Sequence, residues 1–158
     1  MTANNTSQTG EPAGASRPCH TSPPRRILVV DDDSGNRQLV TEMLILSGYE
    51  AVAAADGAAG WEALQAKAYD LLITDNFMPR VTGLEMVKLL RGQSATLPVI
   101  MATGSIPADE LERHPWLKIS AFLLKPYGLG QLLRTVKKVL READRAAKVP
   151  QLLMFPAS

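Results

Sequence analysis

The sequence has one cysteine, no long apolar run and almost no net charge, and each shortage excludes a class of protein. Cys19 alone cannot form an internal disulfide, so the fold depends on its hydrophobic core, as expected in a reducing compartment. No segment approaches the roughly 20 apolar residues that span a bilayer, and the first residues lack the apolar stretch of a secretory signal. Lys and Arg number 17 against 16 Asp and Glu, which gives no overall electrostatic case for nucleic acid or a membrane surface. We therefore expect a soluble, cytoplasmic protein, and 158 residues are enough for one domain.

The two ends of the chain differ in composition from the middle. Residues 1–26 contain four prolines and one large apolar side chain, Met1, so we predict a disordered leader. Cys19-His20 within it is a poor metal site because no second ligand pair accompanies it. We expect the ordered domain over residues 27–147. Residues 148–158 form a short tail whose apolar run, residues 152–155, could dock on the domain or on a partner. No part of the chain is expected to form a second, effector domain.

Between these ends, short apolar runs alternate with helical patterns, which is typical of βα units around a parallel sheet. The expected strands are residues 27–30, 51–55, 71–74, 99–102 and 122–124. We expect Ser34 to cap a first helix that runs to about Ser47 and is stopped by Gly48, with Leu39, Val40, Met43 and Leu44 on its buried face. Asp56 is expected to cap the second helix, in which we expect to find buried Ala59, Ala63, Leu64 and Ala66. The fourth helix, between Pro107 and Pro115, is expected to be short. The last helix, residues 128–148, carries an apolar stripe. These five units predict an α/β fold with a doubly wound parallel sheet.

Polar residues follow the expected strands, where open parallel sheets collect their chemistry. These residues are Asp31, Asp32 and Asp33 after the first strand, Asp75 after the third, Thr103 after the fourth and Lys125 at the fifth. If the first and third strands are neighbours, several carboxylates converge on one cation. Like charges held close together require a further cation, and oxygen-only ligands suit Mg²⁺. Carboxylates, Mg²⁺, a hydroxyl and a lysine together can hold a phosphoryl group, and an aspartate can accept one.

Four segments carry a family resemblance: ILVVDDDSGNR at residues 27–37, YDLLITDNFMPRVTG at 69–83, LPVIMATG at 97–104 and FLLKPY at 122–127. In this order and spacing they resemble the receiver domain of bacterial response regulators, over residues 27 to about 145. The resemblance implies a flavodoxin-like sheet of five strands in the order 2-1-3-4-5, flanked by five helices.

Matched position by position, the resemblance implies a role for each site residue. Asp75 would be the phospho-acceptor, and Thr103 and Lys125 would contact the phosphoryl oxygens. Mg²⁺ would be held by Asp32, Asp75 and the backbone carbonyl of Phe77, with Asp31 acting mainly through a water.

Other positions would modulate this chemistry. Thr103 and Phe122 would form the conformational switch, and the Lys125–Pro126 bond would be cis. Phe77 and Ser105 would tune the lifetime of the phosphoryl group. The shortened fourth helix puts the usual output surface in doubt.

The implied function is that of a stand-alone receiver in a two-component phosphorelay. The phosphoryl group would come from a phosphohistidine on a sensor histidine kinase or a phosphotransfer protein, and the signal would be a surface change read by a protein partner. The domain would catalyse its own phosphorylation and slow dephosphorylation as a switch, not as a metabolic enzyme. We expect no nucleic-acid or membrane partner. The basic face of the last helix is interpreted as solvated or as a docking face for an acidic protein.

Two alternatives remain. The first is a phosphatase of the haloacid dehalogenase class, with Asp31 and Asp33 as its paired nucleophile and acid. That class expects Thr or Val after the pair and an acidic strand end after the lysine, whereas here only Glu142 and Asp144 follow, on a helix. The second is a receiver-like binding module without phosphoryl chemistry. Such modules usually lack an acid, the threonine or the lysine of the site, whereas this chain has all five residues: Asp31, Asp32, Asp75, Thr103 and Lys125.

Overall fold

The computed structural model describes residues 22–153, and for residues 150–153 only the backbone. Three predictions concern residues outside this range: that Cys19-His20 is a poor metal site, that most of the leader is disordered and that the end of the apolar tail could dock. The strands are β1 (Arg26–Val30), β2 (Glu50–Ala54), β3 (Leu71–Thr74), β4 (Val99–Thr103) and β5 (Ala121–Leu124). The α-helices are α1 (Ser34–Leu46), α2 (Gly57–Ala66), α3 (Gly83–Gly92), α4 (Ala108–Arg113) and α5 (Leu129–Leu153), with a 3₁₀ turn at Pro115–Leu117 between α4 and β5.

The strands form one parallel sheet in the order β2-β1-β3-β4-β5, which confirms the predicted fold. The apolar runs of β1, β3 and β4 are buried on both sides because the sheet has helices on both faces. Ile27 and Val29 point to a core shared with α1 and α5, whereas Leu28 and Val30 point to a core shared with α2 and α3.

The register of the sheet decides where its polar ends meet. Val30 of β1 lies opposite Thr74 of β3, so the residues that follow them, Asp31 and Asp75, emerge side by side. The amide of Asp75 donates to the Val30 carbonyl at 3.0 Å and extends this alignment by one residue. At the other side, the amide of Lys125 donates to the Thr103 carbonyl at 2.9 Å.

Helix α1 differs from its prediction at both the cap and the buried face. The cap is Asp33, whose carboxylate accepts from the amide of Asn36, and Ser34 is the first helical residue. Leu39 is exposed, because the crossing of α1 over the sheet turns Val40 and Leu44 inward instead. Gly48, with φ of +91°, ends the helix as expected.

Helix α2 is capped by Asp56 as predicted, but its closest approach to the sheet is made by glycine. Gly57 and Gly60 are its buried positions, Ala59, Ala63 and Leu64 are only partly buried, and Ala66 is exposed. A β-carbon on Gly60 would lie 2.8 Å from a methyl of Val30, so the helix packs at a distance that only glycine allows. The predicted burial was therefore wrong for Ala66 and only partial for Ala59, Ala63 and Leu64.

The last helix is longer than predicted. It carries the expected apolar stripe, with Leu132, Val136 and Val139 buried, but it continues to Leu153 and does not end near Lys148. No glycine follows Leu140 to end it, and alanine and charged residues of good helix propensity fill the next turns. Within residues 22–153, none of the helices is both long enough and apolar enough to cross a membrane.

Candidate functional site

Three carboxylates meet at the carboxyl edge of the sheet. Asp31 and Asp32 follow β1 and Asp75 follows β3, and one oxygen from each lies within 4.8 Å of the others. Asp31 is 3% exposed and Asp75 8%, whereas Asp32 faces solvent. Two of the acids are therefore held in the protein, and the third lies at the opening.

Lys125 is the cation of this cluster, and it is shared between two of the acids. Its Nζ lies 2.9 Å from Oδ2 of Asp75 and 3.1 Å from Oδ2 of Asp31, and its side chain is 27% exposed. Burial lowers the pKa of this ammonium, but hydrogen bonds to Asp75 and Asp31 outweigh it and raise the pKa above the ordinary lysine value. Lys125 therefore stays charged and bridges the ends of β1 and β3.

Asp31 is held by donors on three sides. Its Oδ1 accepts from the amide of Asp33 at 2.9 Å, and its Oδ2 accepts from Nδ2 of Asn36 at 2.5 Å as well as from Lys125. Nη1 of Arg37 donates to the carbonyl of Asp31 at 2.7 Å. The first turn of α1 therefore fixes both the side chain and the backbone of this acid.

Asp75 is fixed mainly through its backbone. Thr74 Oγ1 donates to the Asp75 carbonyl at 2.8 Å, and the amide of Phe77 donates to Oδ1 of Asp75 at 3.2 Å. A β-carbon on Gly83 would lie 2.1 Å from the same carbonyl, so the start of α3 presses against the strand end. The loop between them is closed by Asn76, whose Oδ1 accepts from the amide of Leu84 at 3.0 Å.

Thr103 and the two predicted phenylalanines lie around this cluster without joining it. The buried Thr103 hydroxyl donates to the Ser105 carbonyl at 3.1 Å, within its own loop. Phe122 is half-buried against the core shared with α2 and α3. Phe77 is 60% exposed beside Asp75. The Lys125–Pro126 peptide bond is cis, as expected.

The structure thus brings together Asp31, Asp32, Asp75 and Lys125, and it assigns Asp33 to the helix cap. Sequence reasoning missed Asn36 and Asn76. Asn36 could have been suspected from its place three residues after a capping aspartate, but nothing local indicated its bond to Asp31. The chemical roles of the site residues stay predictions.

The donor set fits a divalent cation. Three carboxylates and one ammonium leave a formal charge of −3 + 1 = −2 among residues whose ligand atoms are all oxygen. Asp32 accepts no hydrogen bond from any residue in the described range, and Asp75 keeps free lone pairs on both oxygens. Hard ions such as Mg²⁺ prefer such oxygen ligands.

The family model of the response regulator receiver domain matches residues 27–137. The chain belongs to this family. Receiver domains are phospho-acceptor switches of two-component systems, phosphorylated by histidine kinases or phosphotransfer proteins, and they bind Mg²⁺ at an acidic pocket.

Curated relatives agree with this assignment. Response regulator MprA of Mycobacterium tuberculosis is 34% identical over 116 residues, which cover 73% of this chain and 50% of MprA. The alkaline phosphatase synthesis transcriptional regulatory protein PhoP of Bacillus subtilis is 30% identical over 125 residues, 78% of this chain and 51% of PhoP. Sensor protein EvgS of Escherichia coli K12 is 37% identical over 106 residues, 67% of this chain and 9% of EvgS. The receiver thus spans about half of MprA and PhoP.

Solved structures agree in fold. Chemotaxis response regulator CheY4 of Vibrio cholerae superposes with a TM-score of 0.68 at 33% identity, covering 74% of this chain and 99% of CheY4. A response regulator receiver protein from Pseudomonas putida gives a TM-score of 0.68 at 32% identity, covering 74% and 98%. The receiver family and its strand order leave the phosphatase alternative without support.

Proposed function

We propose that this receiver accepts a phosphoryl group on Asp75 from a phosphohistidine of a sensor kinase or phosphotransfer protein, and that it signals by a surface change to a protein partner. The observation that carries the proposal is the environment of Asp75. Its carboxylate is anchored at the end of β3, 2.9 Å from a lysine ammonium and next to two more carboxylates. Such a group is placed to act as a nucleophile with its charge partly offset.

In the proposed reaction, an oxygen of the Asp75 carboxylate attacks the phosphorus of the donor. The new bond joins that oxygen to phosphorus, and the bond between phosphorus and the donor imidazole nitrogen breaks. The electron pair of the broken bond stays on that nitrogen, which takes a proton from water. Asp75 becomes an acyl phosphate, and the donor becomes a neutral histidine.

The surrounding residues are proposed to stabilise charge on the transferred group. In this structure the Lys125 ammonium donates a hydrogen bond to Oδ2 of Asp75. After transfer it would donate to a phosphoryl oxygen instead, because that oxygen is a charged acceptor. Asp32, Asp75 and the Phe77 carbonyl would hold Mg²⁺, with Asp31 mainly through a water. When bound, Mg²⁺ supplies charge neutralisation for the phosphoryl oxygens.

The proposed switch begins at Thr103. Its hydroxyl donates to the Ser105 carbonyl in this structure, and a phosphoryl oxygen on Asp75 would offer a stronger, charged acceptor. Turning the hydroxyl would release the loop at Ser105 and vacate space for Phe122, one strand over. The difference in affinity between the two arrangements sets the size of the shift.

Acetyl phosphate with Mg²⁺, followed by intact mass and peptide mapping, tests the acceptor. We expect one added phosphoryl group on Asp75 and none in Asp75→Asn. Glu62→Gln, which removes an exposed carboxylate on α2, is the matched control and should label as the parent does. Labelling of Asp75→Asn at another residue would refute the assignment. No labelling of the parent would support the alternative of a binding module without phosphoryl chemistry.

Amide chemical shifts with and without beryllofluoride, a phosphoryl mimic, test the switch. We expect large changes around Phe122 in the parent and in Thr103→Ser, which keeps the hydroxyl, and small changes in Thr103→Ala. Equal changes in all three proteins would show that this hydroxyl does not carry the signal.

Action in the cytoplasm, expected from the sequence, completes the proposal. MprA and PhoP are about twice as long as the segments that match this chain, so the activity and partners of the whole protein belong to this proposal. Size-exclusion and pull-down experiments with the phosphorylated protein address the partner directly.

A further inference from the structure

Asn36 makes a bond that distinguishes Asp31 from the other two acids. Its Nδ2 donates to Oδ2 of Asp31 at 2.5 Å, and this is the same oxygen that Lys125 contacts at 3.1 Å. Asn36 is itself fixed, because its backbone N–H donates to the capping carboxylate of Asp33 at 2.8 Å. The contact therefore comes from a rigid first turn of α1.

The bonds to Asp31 nearly exhaust its acceptor capacity. A carboxylate offers about four lone-pair sites. Asn36 and Lys125 occupy both sites on Oδ2, and the amide of Asp33 occupies one on Oδ1. Within residues 22–153, by contrast, the Asp75 carboxylate accepts only from Phe77 on one oxygen and Lys125 on the other.

We infer that Asn36 is a positioning residue of the phosphorylation site, an inference that rests on the proposed function. By occupying Oδ2 of Asp31, its amide keeps that oxygen from becoming a direct ligand of a divalent cation. It also competes with Lys125 for this oxygen of Asp31 and so directs the ammonium toward Asp75. The predicted water-mediated role of Asp31 then has a local physical cause.

Removing the side-chain amide of Asn36 should raise the affinity for divalent cations and lower the rate of phosphoryl labelling. In Asn36→Ala, Oδ2 of Asp31 regains a lone pair, so we expect divalent-cation affinity to rise about three- to tenfold, the worth of one typical net hydrogen bond. Lys125 should shift toward Asp31. We therefore expect the maximal rate of labelling by acetyl phosphate to fall by about the same factor, with little change in the half-saturating acetyl phosphate concentration.

The matched control is Gln38→Ala, on the same helix. It deletes a side-chain amide of the same kind, which donates to Oε1 of Glu42 at 2.8 Å on the exposed face and, among the described residues, makes no hydrogen bond to the site. It should match the parent in both measurements. Asn36→Gln, which keeps the amide donor, should lie closer to the parent than Asn36→Ala does.

Divalent affinity is measured on the unphosphorylated proteins by Mn²⁺ binding in electron paramagnetic resonance, with Mg²⁺ as competitor, and labelling rates are measured separately. Unchanged or weaker Mn²⁺ binding in Asn36→Ala would overturn the inference, as would a Gln variant that behaves like Ala. Failure of the parent to label would instead overturn the proposed function, and the Mn²⁺ affinities would still decide what Asn36 does to Asp31.

Discussion

Lys125 provides the sharpest test of the electrostatics of the site, through its replacement by methionine with and without Asp75→Asn. At an effective dielectric constant of about 20, its contacts at 2.9 and 3.1 Å are worth about 6 and 5 kcal/mol before desolvation. Lys125→Met removes the ammonium that pairs with Asp31 and Asp75 and leaves the repulsion among the three carboxylates. Because these acids regain water and counter-ions, we expect a net loss of about 2–4 kcal/mol in the free energy of unfolding.

Asp75→Asn should behave differently in the two backgrounds. In the parent it loses the roughly 6 kcal/mol attraction to Lys125 but relieves two repulsions of at least about 3.5 kcal/mol each, since the oxygens lie within 4.8 Å. Exposure of Asp32 weakens one of these, so we expect the variant to lie within about 1 kcal/mol of the parent. In Lys125→Met no attraction remains to be lost, and the same change should stabilise by about 2 kcal/mol.

Urea unfolding monitored by tryptophan fluorescence, with EDTA present, measures all four proteins. Lys138→Met is the control, because Lys138 lies 4.0 Å from Glu142 on the exposed face of α5, and its stability should equal that of the parent within error. A destabilising effect of Asp75→Asn in the Lys125→Met background, or a Lys125→Met protein as stable as the parent, would refute the argument that crowded carboxylates dominate this site.

Three further perturbations probe the parts around the site. Gly83→Ala should cost at least about 2 kcal/mol in urea unfolding, because its β-carbon would lie 2.1 Å from the Asp75 carbonyl and the backbone must move. Arg91→Met should cost about 2–3 kcal/mol, because this guanidinium donates to four carbonyls, at 2.8, 2.9, 2.8 and 3.2 Å, where α3 and the 3₁₀ turn meet β4. Mg²⁺ at ten times its Kd should raise the free energy of unfolding by about 1.4 kcal/mol, and Asp32→Ala should abolish most of this gain.

Each of these three has a control and a contrary outcome. Gly92→Ala is the control for Gly83→Ala and should not destabilise the protein, because a β-carbon there meets nothing within 4 Å. Equal stability of the two variants would contradict the close approach of Gly83 to the end of β3. Arg113→Met, on the exposed face of α4, should be neutral, and equal effects of the two arginine changes would contradict the role of the carbonyl cluster. Glu142→Ala should keep the full Mg²⁺ effect, and its loss there would indicate a different metal site.

Much of the fold could be predicted because its signals are local. The apolar runs of β1, β3 and β4 are continuous, since both faces of the sheet are covered, and the polar residues that follow them mark the strand ends. Asp56 as a cap and Gly48 as a stop follow from short-range backbone geometry.

The errors lie where two elements meet. The exposure of Leu39 and the burial of Gly60 depend on how closely and at what angle α1 and α2 cross the sheet, and periodicity within one helix does not contain that information. The cap is Asp33 and not the predicted Ser34; aspartate and serine cap helices equally well, so the residue types alone do not distinguish the two positions.

By itself the sequence determined the five βα units, their apolar faces and the set of acids, hydroxyl and lysine at the strand ends, because each depends on residues within a few positions of one another. Only the tertiary structure decided how those ends are joined. Lys125 reaches Asp31 across 94 residues of chain, and Asn36 takes the same carboxylate oxygen from a neighbouring helix. The register of β1 with β3 and the approach of α1 to the sheet set these distances, and both result from packing the whole domain.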